Sequence, residues 1–275
     1  MIQKKIIIVT GHTGFVGSNL IRSLNDYNVL LLDRYFFDNG NRLFDLGGNQ
    51  ITKEHLQGKE IIFIHLATYF STKSKDDSLI YDCNIAFSLK VLEFLSNFNL
   101  KKIIYTNSMF NFYIDKKLRN SYYSKTKMDF SNILNLYCVN NDCELDEIYL
   151  DNNFGLNDKR KKIIPEIISS INNSKKSPIK NPENFINIVH IDDVILRIKH
   201  SINKNDKHLK TSFVNSQSYN LNSIFLFLRN FKKKNIFDES LLLTAENKNY
   251  VNYPKNMYNK FENKNIPIEL TKLIT

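Results

Sequence analysis

Tyr123 and Lys127 stand four residues apart in the run Tyr123-Ser124-Lys125-Thr126-Lys127, so on a helix the phenol and the ammonium share one face. A phenol with an ordinary pKa near 10 is a poor base. A cation held beside it favours the phenolate and lets it exchange a proton with a substrate oxygen. Ser108 follows the apolar run that ends at Asn107, where its hydroxyl can hold that same oxygen. Alone, Tyr-x-x-x-Lys is common by chance and reads as an exposed helix pair; the residues upstream give it weight.

Thr10-Gly11-His12-Thr13-Gly14-Phe15-Val16-Gly17 joins the β-branched run Lys5–Thr10 to a stretch with helical apolar spacing. Gly11 permits a tight turn, Gly14 lets a diphosphate approach the backbone, and Gly17 lets the helix pack closely on the strand. Free N–H groups and the helix dipole then face the anion. With Thr13, Phe15 and Val16 these glycines form a candidate dinucleotide loop. Asp33 closes the next strand and is sited to accept hydrogen bonds from an adenosine ribose, which indicates NAD; Arg34 follows it and suits a 2′-phosphate, which indicates NADP. Biosynthetic reductions usually use NADPH, so the reading leans to NADP(H) over NAD(H). Asp45 and Leu46 fall where an adenine edge can be met.

These residues need a scaffold that holds strand ends beside helix starts. Apolar runs at 5–10, 28–32, 60–65, 102–107 and 146–150 alternate with helical patterns at 14–25, 78–97 and 121–138. Such alternation requires crossover connections and predicts an α/β fold, a Rossmann-type doubly wound parallel sheet, over residues 1–150. From 151 to 275 the elements shorten, with a helix at 162–173, a strand at 184–189 and helices at 191–201 and 220–231. This part reads as a smaller C-terminal substrate-binding lobe, interleaved with the first or following it.

The chain has 275 residues, 42% hydrophobic and 24% charged, a globular composition that excludes disorder and fibrous architectures. No apolar run approaches the roughly 18 residues that span a bilayer, so the expectation is a cytoplasmic protein with no membrane partner. The net charge of +10 raises the question of a polyanion. Lys and Asn are abundant throughout, however, and the basic runs 159–162 and 232–234 carry no interleaved aromatics, so no nucleic-acid partner is expected. The second run reads as a solvated face. Cys83, Cys138 and Cys143 lack metal-ligand spacing and read as passive. His65 is expected to pack at a strand end and His190 at a lobe junction. His12, in the phosphate loop, reads as exposed, and no metal site is expected.

The ordered set of motifs resembles the extended short-chain dehydrogenase/reductase family in its nucleotide-sugar epimerase, dehydratase and reductase branch. The residues are Thr10 to Gly17, Asp33, Asp45-Leu46, His65-Leu66-Ala67-Thr68, Asn84, Ser108, Tyr123 with Lys127, Asn152 to Gly155, and His190-Ile191-Asp192-Asp193-Val194. The resemblance implies that Tyr123 is the general acid/base, that Lys127 lowers its pKa and holds the nicotinamide ribose, and that Ser108 orients the reacting carbonyl or hydroxyl. It implies dinucleotide contacts from Leu66, Ala67 and Thr68, and sugar-nucleotide contacts from Asn152, Lys161, Lys162, Ile163 and Pro165. The basic run at 159–162 thereby acquires a role at a diphosphate, a solvated loop being the alternative. A homodimer is implied as well.

Departures from the family pattern narrow the chemistry. Family dehydratases carry an Asp-Glu pair after the Thr or Ser that ends the fifth strand, because elimination of water needs its own acid and base. Here Thr106 is followed by Asn107-Ser108-Met109. Met109 also stands where the GDP-fucose-forming epimerase-reductases have a titrating Cys. Tyr149 and Ile186-Asn187-Ile188 replace a common Arg and a common Arg-Asp-Phe. The remaining expectation is an NAD(P)H-dependent reductase of a keto group on a nucleotide-activated sugar, serving a bacterial surface polysaccharide such as a capsule. The run around Tyr123 is similar to the CDP-sugar ketoreductases. The rival readings are an NAD-dependent 4-epimerase and a catalytically silent dinucleotide-binding scaffold.

Overall fold

The computed structural model describes residues 5–33, 43–204, 210–213, 217–245 and 264–274. Arg34 lies outside the described residues.

The run Lys5–Thr10 forms β1, buried from its second residue onward. The glycine loop leads into α1 (Phe15–Arg22), followed by β2 (Val29–Leu32), β3 (Leu43–Asp45), β4 (Gln50–Ile51) and β5 (Glu60–His65). Next come α2 (Asp77–Tyr81), α3 (Ser88–Ser96), β6 (Asn99–Ser108), α4 (Lys116–Arg119), α5 (Tyr122–Asn140) and β7 (Glu144–Leu150). The remainder comprises β8 (Asn152–Phe154), α6 (Ile163–Asn172), β9 (Phe185–His190), α7 (Ile191–Asn203), β10 (Lys210–Phe213), β11 (Gln217–Asn220), α8 (Leu221–Lys234), β12 (Thr244–Ala245) and α9 (Ile266–Thr271).

Eight strands form one sheet in the order β10-β7-β6-β5-β1-β2-β3-β4. β2, β1, β5, β6, β7 and β10 run parallel, and β3 and β4 add an antiparallel edge. Because successive strand residues face opposite sides, β1 feeds two cores. Ile6 and Ile8 pack with Val91 and Leu95 of α3 and Phe130 and Leu134 of α5. Ile7 and Val9 pack with Leu20 of α1 and Val194 and Ile198 of α7. Helices on both faces of a mostly parallel sheet are the doubly wound arrangement, and a strand with no water-facing side must be apolar throughout.

A second sheet, β12-β11-β9-β8, carries α6, α8 and α9 around Phe154, Ile167, Ile188, Phe227 and Leu270. Its chain order is interleaved with the first: α7 leaves β9 and returns to the large sheet, and β10 pairs with β7. The one long helix expected at 78–97 is instead α2 and α3 joined by π-helical turns at Asp82–Phe87. Within those turns Asn84 bonds outward to two other segments, and π-helical insertions commonly mark such sites.

Candidate active site

Strand β1 ends at Thr10 and the chain turns at Gly11, whose φ of 70° is left-handed. A Cβ on Gly11 would come 2.5 Å from the Ala67 nitrogen, so only glycine lets this turn cross the end of β5. Gly17 is still more crowded, since a Cβ would lie 2.2 Å from the Gly11 oxygen. The close approach expected of it is therefore to the loop's own backbone. Gly14 differs: a Cβ there would meet only that oxygen, at 3.2 Å. Gly14 caps α1 without a side-chain hydrogen bond, so first-turn N–H groups of α1 are not capped by that residue's side chain. An open cradle with uncapped donors at a helix start fits a diphosphate.

The loop forms one wall of a cleft of about 670 Å³. Gly11, Thr13, Gly14, Phe15, Val16, Gly17, Asp33, Leu66, Ala67 and Thr68, the residues the sequence reading assigns to a dinucleotide, all line it. Asp45 and Leu46 are not among its lining residues. The Asp45 carboxylate instead accepts the Asn49 backbone N–H at 2.8 Å and its side-chain amide at 2.9 Å, closing a local turn. His12, expected to be exposed, lines the cleft half-buried with Nδ1 unpartnered. Burial lowers its pKa, while Asp33 raises it.

Ser108, Tyr123 and Lys127 meet at the floor of the same cleft. Ser121 starts α5 by accepting the Ser124 N–H at 3.2 Å, which places Tyr123 in the first turn and Lys127 one turn further along the same face. Ser108 ends β6, and its Oγ accepts the Phe110 N–H at 3.2 Å. The Tyr123 hydroxyl lies near enough to those of Ser108 and Thr68 for both to stabilise its phenolate. Thr68 donates onward to Asn84 Oδ1 at 3.0 Å, and Asn84 Nδ2 donates to Thr126 Oγ1 of α5 at 3.1 Å. Asn84 thus ties the loop after β5 to the helix that carries Tyr123.

The electrostatics differ from the expectation of an acidic phenol. Burial pushes the Tyr123 pKa above its ordinary value, and the neighbouring Thr68 and Ser108 hydroxyls act against that rise. Lys127 is buried, donates to the Thr106 carbonyl at 2.6 Å, and lies 4.1 Å over the Tyr105 ring. Desolvation pulls its pKa down to about 7, with Glu147 and Cys83 acting against that fall. The ammonium thus loses charge to burial before it can acidify Tyr123.

On the opposite wall, Asn152, Lys162, Ile163 and Pro165 line the cleft, but Lys161 is exposed outside it. α6 begins after Lys162, and the run turns alternate side chains in and out, so Arg160 takes the place expected for Lys161. The Lys162 ammonium sits 3.6 Å over the Phe70 ring, and desolvation lowers its pKa to about 8. Phe70 packs edge-on to Tyr123 at 4.9 Å. Sequence reasoning also missed Glu147, a buried acid that accepts the Asn107 amide at 2.7 Å behind Lys127. The adjacent acids Asp146-Glu147 at the start of the strand read at 146–150 were the available signal.

The residues that excluded other chemistry have structural employment. Asn107 Oδ1 accepts the Ser108 N–H at 2.7 Å, and Met109 is fully buried beside Tyr149. His65 is fully buried between Thr10 Oγ1 at 2.7 Å and Ser88 Oγ at 2.8 Å. His190 caps α7 beneath Glu269 of α9. Among the described residues no cluster of three His, Cys, Asp or Glu could hold a metal, and no helix is long and apolar enough to cross a membrane.

The sequence profile of the NAD dependent epimerase/dehydratase family matches residues 7–220. CDP-abequose synthase of Salmonella muenchen is 27% identical over 198 residues, covering 70% of this chain and 68% of the relative. The CDP-abequose synthase of Yersinia pseudotuberculosis is 23% identical over 269 residues, covering 84% of this chain and 86% of the relative. Among solved structures, the UDP-N-acetylglucosamine 4-epimerase from Methanobrevibacter ruminantium M1 superposes with a TM-score of 0.72 at 18% identity, covering 98% of this chain and 96% of that one.

Proposed function

This chain belongs to the NAD dependent epimerase/dehydratase family, and on that premise we propose that it is a reductase of a keto group on a nucleotide-activated sugar. The likeness to two CDP-abequose synthases supports a CDP-linked substrate, and our reading includes a role in a bacterial surface polysaccharide. One observation carries the reading. The Tyr123 hydroxyl lies beside Ser108 in a cleft whose other wall is the glycine loop, and burial raises the pKa of that phenol, which favours its protonated form. A protonated phenol is the form that a carbonyl reduction requires.

The loop from Gly11 to Gly17 would hold the diphosphate of a nicotinamide dinucleotide, and Asp33 its adenosine ribose, with NADP(H) kept ahead of NAD(H). When bound, the reduced nicotinamide would supply the hydride to the carbonyl carbon. Ser108 holds the carbonyl oxygen and Tyr123 gives it a proton, so ketone and hydride leave as alcohol. Lys127 supports the ribose, while Lys162 and Asn152 receive the sugar nucleotide. We place the protein in the cytoplasm as a homodimer.

The experiment is a spectrophotometric assay with NADPH and CDP-linked keto sugars. Steady stoichiometric consumption of NADPH supports the reductase. Conversion with no net change in nicotinamide absorbance, by protein purified with tightly held NAD, would assign a 4-epimerase using the same Ser108, Tyr123 and Lys127. Absence of turnover across a panel of keto sugar nucleotides, with dinucleotide binding intact, would point to a silent scaffold.

A further inference from the structure

We propose that Arg160 is a second anchor for the dinucleotide's diphosphate, reaching it from the substrate side of the cleft; this rests on the dinucleotide reading given above. The Arg160 guanidinium lies 4.2 Å over the ring of Phe15, the first residue of α1. Its Nε and Nη2 donate to the two Asp158 oxygens at 2.7 Å each, and Nη2 also donates to the Asn153 carbonyl at 2.7 Å. Asp158 is nearly fully buried and so holds one edge of the fork in place. Among the described residues nothing accepts from Nη1, and Arg160 lines the cleft.

A guanidinium fixed along one edge and stacked on a ring keeps its other donors planar and preoriented for phosphate oxygens. The ring beneath it belongs to the glycine loop, whose first-turn N–H groups are open to the same anion. Donors from both walls thus converge. The sugar nucleotide's diphosphate has a different cation: Lys162, two residues on, lies over Phe70 beside Tyr123. The two basic residues divide the cleft, Arg160 to the loop and Lys162 to the reaction centre. Because Arg160 is held by Asn153 and Asp158, next to Asn152, dinucleotide binding draws on the segment that receives substrate. The two affinities are then reciprocally linked.

The test measures dissociation constants of NADPH, ADP-ribose, AMP and CDP for the wild type, Arg160→Gln and Phe15→Leu. Loss of a charge-assisted contact predicts that Arg160→Gln weakens NADPH and ADP-ribose about tenfold or more. AMP, which lacks the diphosphate, and CDP should stay within about twofold, a change worth only about 0.4 kcal/mol. Phe15→Leu keeps the loop N–H groups and removes the ring, so a smaller loss of the same pattern serves if Arg160→Gln does not fold. Unchanged NADPH affinity in both variants, or a larger loss for CDP than for NADPH, overturns the assignment of Arg160. A wild type that binds neither NADPH nor ADP-ribose overturns the functional reading along with it.

Discussion

The Lys127 ammonium donates to the carbonyl oxygen of Thr106 at 2.6 Å, which anchors it to the end of β6 beneath the phenol of Tyr123. This bond fixes the side chain where the sheet ends and the cleft begins. It also buries the cation deeply enough that its pKa falls to about 7, while the phenol is held above its ordinary range. The pair is therefore set to deliver a proton rather than to remove one.

Tyr123→Phe removes that proton and little else. The ring still packs edge-on against Phe70, so the cleft wall is kept. We expect turnover to fall by about 10² to 10⁴, the usual loss for a positioned proton donor, with dinucleotide affinity nearly unchanged. Stopped-time product assays beside a binding titration check both halves. Retained activity would remove Tyr123 from the chemistry.

Glu147 is the negative charge that opposes the desolvation of Lys127. Replacing it by Gln keeps the contact with the Asn107 amide and deletes the charge. The Lys127 pKa must then drop below about 7. An ammonium binds a ribose hydroxyl more strongly than an amine does. The kcat/KM for the dinucleotide, which reports the free enzyme, should decline as pH rises through the Lys127 value. In Glu147→Gln that alkaline limb should move to lower pH. An unmoved limb would show that another group titrates.

The three loop glycines should separate fold from binding. Gly17→Ala drives a Cβ to within 2.2 Å of the Gly11 oxygen, a clash with backbone that side-chain rotation cannot relieve. It should cost several kcal/mol, about the range of severe packing mutations. Gly14→Ala needs the Gly11 oxygen to give way by only a small amount, so the melting temperature should change little while dinucleotide affinity falls. Equal thermal losses in both variants would contradict the open face assigned to Gly14.

Much of this architecture was legible because burial on both sheet faces forces a simple pattern. β1, β5, β9 and α6 fall within a residue or two of the positions predicted from apolar runs and 3.6-residue spacing. The short β8, β11 and β12 were not foreseen, since strands of two to four residues carry too little periodicity to rise above loop composition. The glycine loop and the Ser108, Tyr123 and Lys127 set were readable because each residue type has a local reason to be there. Lys161 against Arg160 was not readable: which side chain enters the cleft depends on the turn before α6 and on the hold of Asp158, both tertiary facts. The direction of the Tyr123 pKa differs from the sequence expectation for a related reason, because sequence shows the neighbouring charge but hides the burial that weakens it.

His65 makes the fold sensitive to acid in a definable window. It is buried between Thr10 and Ser88, with Ser88 Oγ donating to the Cys83 carbonyl at 3.2 Å. Ser88 must then accept from His65 Nε2, leaving Nδ1 to accept from Thr10 in a neutral ring. Desolvation, helped by Lys127, pulls its pKa down to about 3, whereas the unfolded chain titrates near 6.5. Between those values the unfolded state binds the extra proton, so stability is full above 6.5 and falls as pH drops towards 3, by up to about 1.4 kcal/mol per pH unit. His12 and His190, also lowered, add to the wild-type slope and are common to any variant at 65. His65→Gln should lose about 1–3 kcal/mol at pH 7.5 through the disturbed hydrogen bonds, yet show a shallower decline below pH 6.5. Denaturant unfolding at half-unit pH steps gives both slopes, and parallel curves for the two proteins would show that His65 does not carry the acid sensitivity.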